Sequence, residues 1–229
     1  MLVDIDIAVF DASENGPAFE LIKMIAQHRH DWHPSPRQAI RAERFVNEVT
    51  TTLRIPALIE WAQMAVQESA YPVTPATEPV AVRPGNVKEI AEDLGHPAVL
   101  VVENKRADGG FIQTVATVLD GERIAAAIHR GWLKIGHGGG NSEMAWLVAE
   151  ECRLFAQQAR VAALLDFDNG PDSESNKQAE EIRRAGRAKV HVWSWRSVEN
   201  YVPFAAWEYH LSRDRQKLRE LEAVRRMPV

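Results

Sequence analysis

The chain has 229 residues, 45% of them hydrophobic and 26% charged, with a formal net charge of −5. Those proportions belong to a folded globular protein and exclude a fibrous or wholly disordered chain, and the length suffices for one compact domain plus a smaller appendage. The acidic balance argues against a protein that coats nucleic acid by bulk charge, yet an enzyme that gathers carboxylates around cations can carry it while local basic stretches track phosphates. Two such stretches are Arg183-Arg184-Ala185-Gly186-Arg187 and residues 213–226; for the second, a solvated helix surface is an equal reading. A single cysteine, Cys152, excludes an internal disulfide and a multi-cysteine zinc site. Asp4 and Asp6 stand where a secretory leader would carry lysines, and the longest apolar run, 98–102, is too short for a bilayer. A cytoplasmic protein without a membrane partner is expected.

In chain order, the alternation of Val3, Ile5, Ile7 and Val9 with Asp4 and Asp6 between them predicts one short strand. Helical spacing follows through Phe19, Ile22, Ile25 and Ala26, then through Ile40, Phe45 and Val49, then through Ile55, Leu58, Ile59, Ala62 and Val66. Residues 1–70 therefore form a small, mostly helical N-terminal region. Prolines at 72, 75, 79 and 84 mark residues 71–86 as a linker. From 87 to 229 strands and helices alternate, the pattern of an α/β domain with a four-stranded, mainly parallel sheet and C-terminal helices. The strands fall at 98–103, 132–136, 159–166 and 189–195, and the helices between them at 110–119, 142–158 and 174–185.

Ligands of such sheets bind beyond the carboxyl ends of the strands, where loops and helix N-termini converge. Glu103 ends the first strand of this domain, and Asp166 and Asp168 end the third, with Phe167 between them directed into the core. Each acid alone reads as a common solvated loop residue. Three on adjoining loops repel one another unless a proton or a metal neutralises them, which implies a hard cation such as Mg²⁺.

The segment Val101-Val102-Glu103-Asn104, with Asp108 and Phe111-Ile112 after it, resembles the first motif of TOPRIM domains, and Leu164-Leu165-Asp166-Phe167-Asp168-Asn169 resembles their Asp-x-Asp motif. Ile135-Gly136-His137-Gly138-Gly139-Gly140-Asn141 matches their glycine-rich turn after the second strand, and Glu199-Asn200-Tyr201 an element of the overcoming-lysogenization-defect (OLD) type of TOPRIM nuclease. The resemblance covers roughly residues 97–209 and implies a Rossmann-like TOPRIM fold and a Mg²⁺-dependent nuclease, with Mn²⁺ as a substitute. It implies that Asp166 and Asp168 hold the metal, that Glu103 is a ligand or proton-transfer group, and that Glu199 helps hold a second ion. It further implies a nucleic-acid substrate, DNA ahead of RNA, an anti-phage or toxin-like effector and a separate ATPase partner; the oligomeric state stays open, a homo-oligomer among the alternatives. Asn104 stands where the family customarily has glycine, and Gly170-Pro171 is not its usual continuation of the second motif. Those departures motivate the alternative of a non-catalytic TOPRIM assembly or nucleic-acid-binding subunit. A small-molecule phosphatase using the same acids is a third reading.

Other motifs weigh less. His28-Arg29-His30-Asp31-Trp32-His33 has its Asp displaced from the metallo-hydrolase pattern and reads as surface histidines. The glycine run lacks a following Lys-Ser or Lys-Thr, so it is not a nucleotide-hydrolysing loop. Asn141 after it is either a plain helix cap or part of a phosphate cradle. Trp193, Trp195, Trp207, Tyr201 and Tyr209 can stack on bases or close a core, and Trp193 is assigned to the core.

Overall fold

The computed structural model describes residues 1–11, 15–50, 55–71, 78–119, 123–139, 143–167, 173–195 and 197–225, the side chains of 224 and 225 apart. The chain is α/β with two parallel sheets and divides into two compact units. The first unit comprises Met1–Ala98, His129–Lys134 and Glu151–Arg160; the second comprises Val99–Ile128, Ile135–Glu150 and Val161–Val229.

The first unit is not only helical. Strand β1 (Leu2–Ile5) lies between β2 (Asp31–Trp32) and β3 (Val80–Val82), parallel to both. β1 ends sooner than the alternation predicts. Asp6 Oδ1 accepts from the Ala8 amide and its carbonyl accepts from Val9, turning Ile7–Asp11 into a short 3-10 helix. Asp side chains offer the backbone this local alternative to a ladder. The expected helices are α1 (Asn15–Ala26), α2 (Pro36–Thr50) and α3 (Pro56–Glu68), and α4 (Val87–Gly95) joins them.

Prolines at the starts of α2 and α3 occupy the first turn, where a missing N–H costs nothing. At α2, Ser35 and Gln38 form a capping box: the Gln38 amide donates to Ser35 Oγ, and the Ser35 amide donates to Gln38 Oε1 at 2.8 Å. Gln38 Nε2 then donates to the Ile5 carbonyl, fixing the helix start to the end of β1. Val3, Ile5, Phe10, Leu21, Ile22, Phe45, Val46, Ile90 and Leu94 are buried together as this unit's core.

The second sheet carries β4 (Ala98–Val102), β5 (Leu133–His137), β6 (Val161–Leu165) and β7 (Lys189–Val192) in the order β5-β4-β6-β7. β6 runs parallel to β4, with Val99 opposite Val161, and to β7, with Leu165 opposite Val192. β4 and β6 lie in the middle and are buried along most of their length, whereas His191 on the edge strand β7 is exposed. The intervening helices are α5 (Ala107–Leu119), α6 (Arg123–His129), α7 (Met144–Arg153) and α8 (Glu174–Ala185).

α8 has both ends written in its sequence. Ser173 caps it by accepting from the Asn176 amide, Glu174 and Arg183-Arg184 complement its dipole, and Gly186 closes it at φ 70°. A second 3-10 helix (Val198–Tyr201) and helices α9 (Phe204–Leu211) and α10 (Arg215–Arg225) follow. No helix among the described residues is long and apolar enough to cross a membrane.

Candidate functional site

The chain passes from β4 to β5 on one side and then to β6 on the other, so the strand order reverses between the adjacent strands β4 and β6. At such a point the two crossovers leave in opposite directions and open a crevice at the carboxyl ends. Glu103 follows β4 there and Asp166 follows β6. They meet. Glu103 Oε1 accepts from the Asp166 backbone amide at 2.8 Å, and the Ser175 hydroxyl donates to the same oxygen at 3.4 Å. Both acids are half-buried, while Ser175 is fully buried in the first turn of α8.

Ser175 is a site residue the sequence reading missed, although its position in the first turn after the acidic motif was a usable signal. Helix α8 also bonds to the start of α7, since Gln178 Oε1 accepts from the Ala145 amide at 2.8 Å. Gln178 Nε2 is in turn held by Glu174 at 3.0 Å.

Asn104 begins α5 as its cap. Its Oδ1 accepts from the Arg106 and Ala107 amides, while Asp108 Oδ2 accepts from the Asn104 amide at 2.7 Å. An asparagine at this position thus has a local structural reason. Asp108 is 5% exposed. Burial raises its carboxyl pKa above the ordinary value against the lowering effect of the Asn104 amide; the charge of Glu199 adds to the rise and that of His137 opposes it. Glu199 itself is exposed on the 3-10 helix at Val198–Tyr201. His137, at the end of β5, accepts at Nδ1 from the Lys105 amide at 3.5 Å.

Glu103 and Asp166 are therefore brought together, and the charge of Glu199 is felt at Asp108. Asp168, Gly140 and Asn141 lie outside the described residues. Among the described residues no three His, Cys, Asp or Glu side chains gather closely enough to hold a metal ion. Phe167 departs from expectation, since it is 36% exposed instead of entering the core. The period of two that would send it inward holds only within the strand, and β6 has ended at Leu165.

Behind this edge, Phe111, Trp193 and Tyr201 form an aromatic cluster, with 4.7 Å between the Trp193 and Tyr201 centroids. Trp193 packs on Val102, Ile135 and Leu164, as its assignment to the core predicts. No family model, curated protein or solved structure matches the chain.

Proposed function

We propose that the unit built on β4–β7 is a Rossmann-like, TOPRIM-type domain of the OLD-like kind that hydrolyses nucleic-acid phosphodiesters with Mg²⁺. The observation that carries this reading is the hydrogen bond from the Asp166 amide to Glu103, which draws two acidic positions to the point where the strand order reverses. Their hard oxygen donors suit Mg²⁺ or Mn²⁺. Glu103 and Asp166 would hold the ion, with Asp168 beside Asp166 in sequence and Glu199 as the acid for a second ion. When bound, such ions activate water and stabilise the leaving oxygen of an in-line displacement at phosphorus. The chain's own contribution is orientation: the Asp166 amide and the Ser175 hydroxyl fix one Glu103 oxygen. This reading calls for a separate ATPase chain as partner and for an anti-phage or toxin-like setting.

The test is to incubate the protein with plasmid, single-stranded DNA and transfer RNA, with Mg²⁺ or Mn²⁺ and with chelator. Glu103→Gln keeps an oxygen to accept from Asp166 while removing the charge, so the fold should survive. Cleavage should fall by roughly a hundredfold or more in Glu103→Gln and in Asp166→Ala, with unchanged circular dichroism. Undiminished cleavage in both variants refutes the site.

The hydrogen bond that carries this reading also favours a second one, in which Glu103 serves only as a structural acceptor and the module is non-catalytic. Calorimetry separates the two. A non-catalytic module binds Mg²⁺ weakly and shows no loss on Glu103→Gln.

A further inference from the structure

The carboxyl edge of the second sheet is not only acidic. β4, β6 and β7 are neighbours in that order and run parallel, so the residues that follow them leave from the same edge. Lys105 and Arg106, both exposed, follow β4; Asp166 and Phe167 follow β6; Trp195 follows β7.

Two large aromatic rings are left in solvent after the strands of this edge, Phe167 at 36% exposure next to Asp166 in the chain and Trp195 at 53% after β7. Nearby aromatics show that this exposure is selective. Trp193, two residues earlier, is half-buried against the core, and Phe111 and Tyr201 are held against it. The Trp195 backbone is also fixed, because its amide donates to the Tyr201 hydroxyl at 2.9 Å. A ring held out on an anchored backbone loses little freedom when something stacks on it.

Exposed cations after β4 and exposed rings after β6 and β7 suit a strand with charged phosphates and accessible base faces. Duplex DNA offers phosphates but keeps its base faces stacked inside, whereas a single strand offers both.

We propose that this edge binds single-stranded nucleic acid, with bases stacked on Phe167 and Trp195 and phosphates met by Lys105 and Arg106. The inference rests on the nuclease reading, and it names the substrate class as an unpaired strand drawn past Glu103 and Asp166. Phe167 and Trp195 act by positioning the strand and take no part in the bond-breaking chemistry.

The test is fluorescence anisotropy of a labelled single-stranded oligonucleotide and of the same sequence as a duplex. Both are titrated with Glu103→Gln protein in Mg²⁺, so that binding is read without cutting. The single strand should bind at least tenfold tighter than the duplex. In that background Phe167→Ala and Trp195→Ala should each weaken single-strand binding by roughly fivefold to a hundredfold and leave duplex binding unchanged, while Trp195→Phe restores most of the loss. Equal or tighter duplex binding overturns the proposal, as does single-strand binding that both alanine variants retain in full. The two readings fail separately. A single strand bound through these rings but never cut by the wild type sinks the nuclease and keeps the binding edge; metal-dependent cutting abolished by Glu103→Gln but indifferent to both rings does the reverse.

Discussion

Gly138 shows how little room the loop after β5 has. Its amide donates to the Val102 carbonyl at 2.7 Å, and an added Cβ would lie 2.7 Å from Met144 Cε, 2.9 Å from Met144 Sδ and 3.1 Å from the Val102 oxygen. Met144 is itself fully buried, so it has nowhere to retreat. Gly138→Ala should destabilise the protein by about 1–3 kcal/mol, read from the urea midpoint. Gly131→Ala would strain the backbone, its φ being 71°, but would meet no atom of the described residues within 4 Å, so Gly138→Ala is the test of close approach alone. The glycine-rich turn was visible in the sequence as a motif, but its cause here, a methionine pressed against the backbone, is a long-range contact with no local signature.

At the scale of elements, α4 is held by its own buried charge. Asp93 accepts from the Ala156 amide at 2.7 Å and from Arg160 Nη1 at 3.4 Å, and Arg160 Nη2 also donates to the Asp93 and His96 carbonyls. The side chains are 2% and 13% exposed. Burial lowers the Arg160 pKa and the Asp93 carboxylate opposes that fall, so removing the acid strands a desolvated cation. Asp93→Ala should cost about 3–5 kcal/mol in chemical denaturation, and Asp93→Leu combined with Arg160→Met should cost markedly less than the single change. Nothing in the sequence pairs positions 93 and 160, which become neighbours only through the fold. By contrast, α8 has the ends expected from the sequence, 174–185, and they are held by Ser173, Gly186 and the charges between them, which act locally. β2 and β3 were not predicted. Two or three residues cannot display a period, and Pro79 and Pro84 on either side of β3 argued for a linker.

For the molecule as a whole, His30 ties stability to acidity. It is 5% exposed, its Nε2 faces the Leu94 carbonyl at 3.0 Å, and burial above all pushes its pKa down to about 4. The unfolded chain therefore takes the proton first as pH falls. The contribution of the neutral ring is complete above the ordinary value of 6.5 and is lost as pH drops toward 4, up to about 3 kcal/mol. Urea midpoints measured from pH 7 to pH 4.5 should fall more steeply for the wild type than for His30→Gln, which can still donate to Leu94; parallel slopes would show that His30 does not titrate in this way. The run 28–33 reads from sequence as surface histidines, and the burial of His30 corrects that expectation. His28 and His33 in the same run are exposed. Whether a polar residue in a short motif faces water depends on what packs above it, here the end of α4 some sixty residues away in sequence.

By itself the sequence determined two strands, expected at 98–103 and 159–166 and observed at 98–102 and 161–165, and the placing of Glu103 and Asp166 at strand ends, because these follow from periodicity and breaks between near neighbours. Only the tertiary structure decided that β4 and β6 are adjacent, that Glu103 accepts from Asp166, that Phe167 and Trp195 stand in solvent while Trp193 does not, and that the N-terminal helices surround a sheet. Each of those is a contact, or the lack of one, between residues distant in the chain, and the free energy that selects it comes from burial and hydrogen bonding that exist only once the chain has folded.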